Sequence, residues 1–205
     1  NYDAKNIDFR NMSRFDEAEA YILQTKATGQ ASQGITPLYG FVVDSLEITP
    51  GQDKSGTLVL TPLVRHVTFT VQVDKPEEIK TCKGSLSGVS TSLNLSKRKV
   101  VTEASTNVEF DMETSDKGVN GDLIILGTAL PKEEEQKPVT NQVTINFTLS
   151  DGSMVSATAD LEDKLNEIDT PHVNVTINAT VEKSPKFTIR LTNWEVGPGE
   201  ETTIE

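Results

Sequence analysis

Hydrophobic residues in this chain recur at every second position. In residues 57–73, TLVLTPLVRHVTFTVQV, the apolar Val67, Phe69, Val71 and Val73 alternate with Thr68, Thr70 and Gln72. Val143, Ile145, Phe147 and Leu149 alternate with Thr144, Asn146 and Thr148, and Val173 to Val181 repeat the pattern against Asn174, Thr176, Asn178 and Thr180. A two-residue period dominated by β-branched side chains marks a strand buried on one face. On this basis strands are expected at 39–48, 57–60, 65–73, 79–83, 106–112, 122–127, 139–149, 154–161, 172–182 and 186–191.

Turn chemistry separates these runs: Pro50-Gly51, Lys75-Pro76, Gly118 with Asn120-Gly121, Asp151-Gly152, Ser184-Pro185 and Gly197-Pro198-Gly199. Asp-Gly in LSDGSM supplies the positive φ angles of a tight hairpin. Residues 84–95, GSLSGVSTSLNL, break the rhythm with small residues and predict a tight turn or bulge. Helical signals are short. Ser13 can cap a helix through Ala20, although 19–23 reads equally as a strand, and 163–167 can form a second helical piece. Residues 25–36 read as a linker, and KEEEQK at 132–137 as a solvated loop. The sum is an all-β, antiparallel β-sandwich with Greek-key type connections and one or two short helices.

Composition narrows the chemistry. A net charge of −12 over 205 residues disfavours nucleic acid as a partner, because phosphates are held by clustered positive charge. The longest basic run, Lys97-Arg98-Lys99, reads as a solvated hairpin tip. Cys82 is the single cysteine, so an internal disulfide is ruled out. No apolar run reaches the roughly 18 residues of a membrane-spanning helix. The chain opens at Asn1 without methionine, which suggests a mature or trimmed product with any export signal or lipid anchor upstream.

Catalytic motifs fail on inspection. GSLSG has Leu86 where a hydrolase elbow needs its serine. His66 and His172 sit at strand positions far apart in sequence and read as structural. SDKGVNGD at 115–122 resembles the start of a calcium loop, but Gly118 and Gly127 stand where oxygen ligands belong, so an acidic hairpin tip is the plainer reading. No zinc set and no phosphate loop can be assembled, and no cofactor is expected. Five N-x-S/T matches, at Asn11, Asn94, Asn146, Asn174 and Asn178, arise readily in Asn- and Thr-rich strands. Trp194 anchors the last strand or offers a stacking surface, with Tyr39 and Phe41 as the other candidates for sugar or partner contact. The tail EETTIE at 200–205 can form an edge strand to which another chain adds.

The order of features resembles a known group. Phe9-Arg10-Asn11, Phe15 and Ala18-Glu19-Ala20-Tyr21, then Pro37-Leu38-Tyr39, the 60–73 strand, GSLSGVSTSLNL, LSDG and a closing Asn193-Trp194-x-x-Gly197 are similar to the fimbrillin and fimbrial-anchor superfamily of Bacteroidales, in a branch near the anchor subunits. That resemblance implies exported lipoproteins with two transthyretin-like sandwich domains. It also implies subunits of type V fimbriae joined by β-strand addition, held at the outer membrane by an upstream lipid anchor. The lipidation cysteine and most of a first domain are missing from this sequence, so 1–36 is expected to be the remnant of a preceding β domain plus linker, and 37–205 the sandwich.

The function expected is therefore a non-enzymatic cell-surface structural or adhesion protein, a fimbrial subunit or anchor. The alternative is a surface carbohydrate-binding or nutrient-capture module on the same fold. Asp44-Ser45-Leu46 fits the D-S/T-aliphatic pattern of O-glycosylation that the resemblance brings with it, an unmodified Ser45 being the other outcome. Intact mass of natively produced protein decides this. A glycan-sized excess is expected if Ser45 is modified, and a mass equal to the bare chain refutes it.

Overall fold

The computed structural model describes residues 5–23, 34–41, 50–51, 53, 55–129, 141–161, 164–167, 170–183 and 187–199. Twelve strands are seen among these residues: β1 (Ile7–Arg10), β2 (Glu19–Ile22), β3 (Tyr39–Gly40), β4 (Thr61–Pro62), β5 (Arg65–Val73), β6 (Ile79–Asn94), β7 (Lys99–Ser115), β8 (Gly118–Ile125), β9 (Gln142–Leu149), β10 (Met154–Asp160), β11 (His172–Lys183) and β12 (Phe187–Pro198). One short helix, α1 (Lys164–Glu167), and two 3₁₀ turns, Phe15–Glu17 and Pro76–Glu78, complete the order. The strand alternative is realised as β2, whereas Ser13 caps no helix: the 3₁₀ turn before β2 starts from Arg14 without a side-chain cap.

The strands form an all-β sandwich. One layer holds β1-β2-β6-β7 with β9 and β10, the other β8-β5-β11-β12. The long strand β7 joins them: Lys99 to Met112 pair with β6, and Glu113 to Ser115 with β8. Strands β6 to β9 have the spatial order β9-β6-β7-β8, which is the Greek-key arrangement. Alternation is kept where the sequence shows it. Val67, Phe69, Val71 and Val73 of β5, Val143 to Leu149 of β9 and Val173 to Val181 of β11 all bury their apolar positions.

Three local expectations are corrected and a fourth is decided between its alternatives. The sandwich is not wholly antiparallel, because β11 lies parallel to β5 with His172 opposite His66 and Ala179 opposite Val73. Residues 57–60 form no strand, and the ribbon strand beside them is only Thr61–Pro62. Asn120-Gly121 is not a turn but lies inside β8, where Gly121 stands opposite Phe69. Of the two forms expected for GSLSGVSTSLNL, a tight turn or a bulge, the structure has the bulge. The segment continues β6 through a bulge between Leu86 and Val89, with Gly88 at φ +70°.

That bulge is tied down by backbone accounting. Asn141, itself buried, donates its Nδ2 to the Ser87 and Gly88 carbonyls at 3.2 and 3.3 Å, and the Ala129 amide donates to Gly88 at 2.8 Å. The edge of β6 away from β7 is thus filled by three separate segments: β9 along residues 79–86, Thr128 opposite Val89, and β2 at residues 92–94. Through that last pairing the β1–β2 hairpin adds Ile7, Ala20 and Ile22 to the hydrophobic cluster. Residues 42–49, with Ser45, lie outside the described residues.

Between the layers Phe69 of β5 stacks on Phe110 of β7, with ring centroids 4.8 Å apart and planes at 21°. Each ring has a glycine opposite it in a neighbouring strand: Gly121 faces Phe69 and Gly84 faces Phe110. A Cβ on Gly84 would stand 2.2 Å from the Phe110 ring, and one on Gly121 would stand 2.9 Å from Met112 and 3.0 Å from Phe110. The Phe110 ring therefore requires glycine at 84, and at 121 it crowds a side chain together with Met112.

Gly84→Ala is expected to destabilise the protein by about 2 kcal/mol through overpacking, and Phe110→Ala by about 3–5 kcal/mol through the cavity it leaves. The double variant should lose less than the sum, since removing the ring makes room for the methyl. Urea denaturation measures all three, and strict additivity would show ring and glycine to be uncoupled.

Candidate functional site

The β6–β7 hairpin ends in the turn that the basic run predicts. Asn94 shapes it, its side-chain oxygen accepting from the Lys97 amide at 2.8 Å and from Ser96 Oγ at 2.9 Å, while its Nδ2 donates to the Asp16 carbonyl at 2.8 Å. Arg98 closes the turn with φ +52°. From there its guanidinium reaches the β3–β4 ribbon, donating to Thr61 Oγ1 at 2.9 Å and to the Gly40 carbonyl at 3.5 Å.

The ribbon is a separate two-stranded sheet, pairing Tyr39 with Pro62 and Gly40 with Thr61. Leu63 fastens it to the body. The Leu63 amide donates to the Leu38 carbonyl at 2.8 Å, and a Cβ on Gly40 would stand 2.6 Å from Leu63 Cδ1, so a larger residue there would have to displace the Leu63 side chain. Beyond this base the chain turns outward. Leu58, Val59 and Leu60 are 57%, 75% and 56% exposed, and Tyr39 and Phe41 are 42% and 46% exposed.

Under the ribbon's base lies an open groove of about 690 Å³. Its floor is aliphatic, with Leu63, Leu93 and Leu126 buried and Val100 half-buried. Its rim is basic, set by Arg65, Arg98 and Lys99. Arg65, at the start of β5, donates Nη1 to the Leu165 carbonyl of α1. Thr170 and Pro171, just before β11, line the opposite side.

Of the residues singled out from sequence, Tyr39 and Phe41 are exposed on or beside the ribbon, whereas Trp194 sits on β12 opposite Ile177, half-buried against the core. None of the three lines the groove, and Trp194 is in a different sheet from Tyr39. Lys97, Arg98 and Lys99 are exposed, as expected of a solvated tip, but the run itself carries no sign of what lies beside it. Only the fold shows that the ribbon is laid across it.

A second cluster is also a product of topology. The parallel pairing of β5 and β11 brings His66 and His172 together, ring centroids 5.5 Å apart and nearly edge-on at 67°. His66 Nε2 lies 3.2 Å from Asp122 Oδ1, which also accepts from Thr68 Oγ1 at 2.8 Å. The hydroxyl in this set bonds the carboxylate and not the imidazole, so it is not arranged as a nucleophile with its base. The Asp122 side chain is 64% exposed, on an open sheet face outside the groove. Among the described residues no group of three or more His, Cys, Asp or Glu is arranged to hold a metal ion, and no helix is long and apolar enough to cross a membrane.

Cys82 is buried in β6, its Sγ 3.6 Å from the Met112 carbonyl, and burial pushes its thiol up to about 11. It is a packing residue, away from the groove.

Comparison with known proteins gives a consistent fold. A family model described as "Domain of unknown function (DUF5119)" matches residues 1–111. No curated protein matches. Among solved structures, a candidate adhesin from Bacteroides ovatus ATCC 8483 aligns with TM-score 0.55 and 21% identity, over 99% of this chain and 74% of that one. A candidate polysaccharide-binding protein (DUF1812) from Bacteroides thetaiotaomicron VPI-5482 aligns with TM-score 0.51 and 12% identity, over 96% and 73%. The fimbrial anchor protein Mfa2 from Porphyromonas gingivalis aligns with TM-score 0.48 and 12% identity, over 88% and 64%. At these identities the first two show a likeness of fold alone.

Alkylation tests the burial of Cys82. A thiol pushed up to about 11 by burial has about a hundredfold less thiolate at pH 8 than an exposed one in the unfolded chain. Iodoacetamide should therefore label native protein at least that much more slowly than protein in urea. Equal rates would show the site to be open.

Proposed function

The chain belongs to the DUF5119 family, and from that premise we propose that it is a non-enzymatic cell-surface adhesion protein, a fimbrial subunit or anchor assembling by β-strand addition. The observation that carries this reading is the segment Leu58-Val59-Leu60. Its composition is that of a strand, yet among the described residues it belongs to no sheet and presents its apolar side chains to solvent. A strand sequence left outside a sheet is a ready partner for the edge of another chain, because backbone hydrogen bonds supply affinity and alternate side chains supply selectivity. The fold shared with candidate adhesins supports the same direction. Location at the cell surface, with an upstream lipid anchor at the outer membrane, belongs to this reading, as does the origin of residues 1–36 in a preceding β domain.

Tyr39 and Phe41 favour a second reading. They are two residues apart next to the ribbon and both exposed, and paired aromatics can stack on sugar rings. The fold is shared with a protein described as a candidate polysaccharide binder. A glycan-capture module would use this surface for a saccharide and not for a subunit.

Immunogold electron microscopy of native cells separates the two. Label along or at the base of filaments is expected for wild type, with filaments lost or shed in a deletion strain. A Val59→Asp/Leu60→Asp variant with unchanged circular dichroism should lose its filament label by at least tenfold. Label spread over a filament-free surface, indifferent to the variant, would overturn the assembly reading, and glycan arrays would then test the second.

A further inference from the structure

We infer that the groove beneath the ribbon binds an amphipathic carboxylate, of the class of medium-chain alkanoic acids. The groove, not the exposed ribbon, is the surface concerned, so the inference is independent of how the protein assembles.

Charge is the first argument. The chain carries 31 acidic residues against 19 basic ones. Three cationic residues nevertheless line this one groove, and no Asp or Glu is among the described residues that line it. Among the described residues the charged side chains of this lining are all cationic, which in so acidic a molecule favours an anion there. Arg65 and Arg98 are also held in position, by the Leu165 carbonyl and by Thr61 and Gly40 respectively. Cations positioned in advance lose less side-chain freedom when they take a carboxylate.

The floor supplies the second argument. Leu63, Leu93, Val100 and Leu126 offer aliphatic surface that favours a hydrocarbon body. No aromatic residue lines the groove among the described residues, so a pyranose finds no ring to stack on. An acidic sugar would satisfy the rim and waste the floor, and a long-chain alcohol would do the reverse. An alkanoate matches both. The volume, about 690 Å³, falls within the range in which small-molecule sites occur.

The test is calorimetric titration of the full chain with octanoate, decanoate and dodecanoate below their micelle concentrations, with acetate, decanol and glucuronate as controls. Saturable one-site binding is expected, tightening about fourfold per added buried methylene and weakening with salt. Lys99→Glu should weaken decanoate at least tenfold, with circular dichroism and Tm unchanged. Arg98→Gln/Lys99→Gln should weaken it further. Absence of saturable binding, affinity independent of chain length, decanol binding as tightly as decanoate, or glucuronate binding in place of decanoate would each overturn the inference. So would decanoate affinity untouched by Lys99→Glu.

Discussion

The sandwich depends on one interlayer contact, the stack of Phe69 on Phe110. In a core made mostly of Val, Ile, Leu and Ala, these two rings meet between the layers and space β5 from β7. A stack of this kind contributes about 0.5–1.5 kcal/mol beyond the area it buries. Its larger effect is on identity elsewhere. The Phe110 ring fills space that a side chain at 84 would need and, together with Met112, crowds one at 121, although neither glycine sits in a turn. Placing β7 in this way also places its hairpin with β6, and with it Arg98 and Lys99 at the mouth of the groove.

What the sequence made legible was whatever depends on neighbours along the chain. The alternation in residues 65–73, 143–149 and 173–181 predicted buried faces that the structure shows, and Asp151-Gly152 closes the β9–β10 hairpin with Gly152 at φ +83° and Asp151 Oδ1 accepting from the Ser153 amide. What was hidden depends on distant partners. Gly121 looked like a turn residue because a strand glycine has no local explanation; what crowds it is Met112 and Phe110 of β7. Residues 57–60 looked like a strand because propensity registers β-branching and not the absence of a partner. His66 and His172 looked unrelated because only the parallel register of β5 with β11 makes them neighbours.

The candidate site was the least legible part. Tyr39 and Phe41 were chosen as exposed aromatics, and the structure exposes them, but the groove lies a few residues away under Leu63. Its basic rim draws on the start of β5 and the start of β7, and its aliphatic floor on the end of β6, the residue after β8 and Leu63 between β4 and β5. No window of the sequence contains that combination, and the same Lys97-Arg98-Lys99 run would be an ordinary solvated tip if the ribbon were not anchored across it.

The parallel ladder between β5 and β11 has a further consequence for how the molecule is made. Residues 65–73 must wait for residues 172–179 before their second edge is covered, about a hundred positions later in the chain. Until then a nine-residue strand with four buried apolar side chains is paired only with β8. Long-range closure of this sort is slow and leaves strand edges open to other chains meanwhile. A polypeptide emerging from its N-terminus thus passes through a stage in which everything up to β10 can be in place and the second layer still lacks its closing half. The acidity that makes the groove electrostatically unusual also gives such an intermediate mutual repulsion between copies, which keeps the open edge from pairing with its own kind.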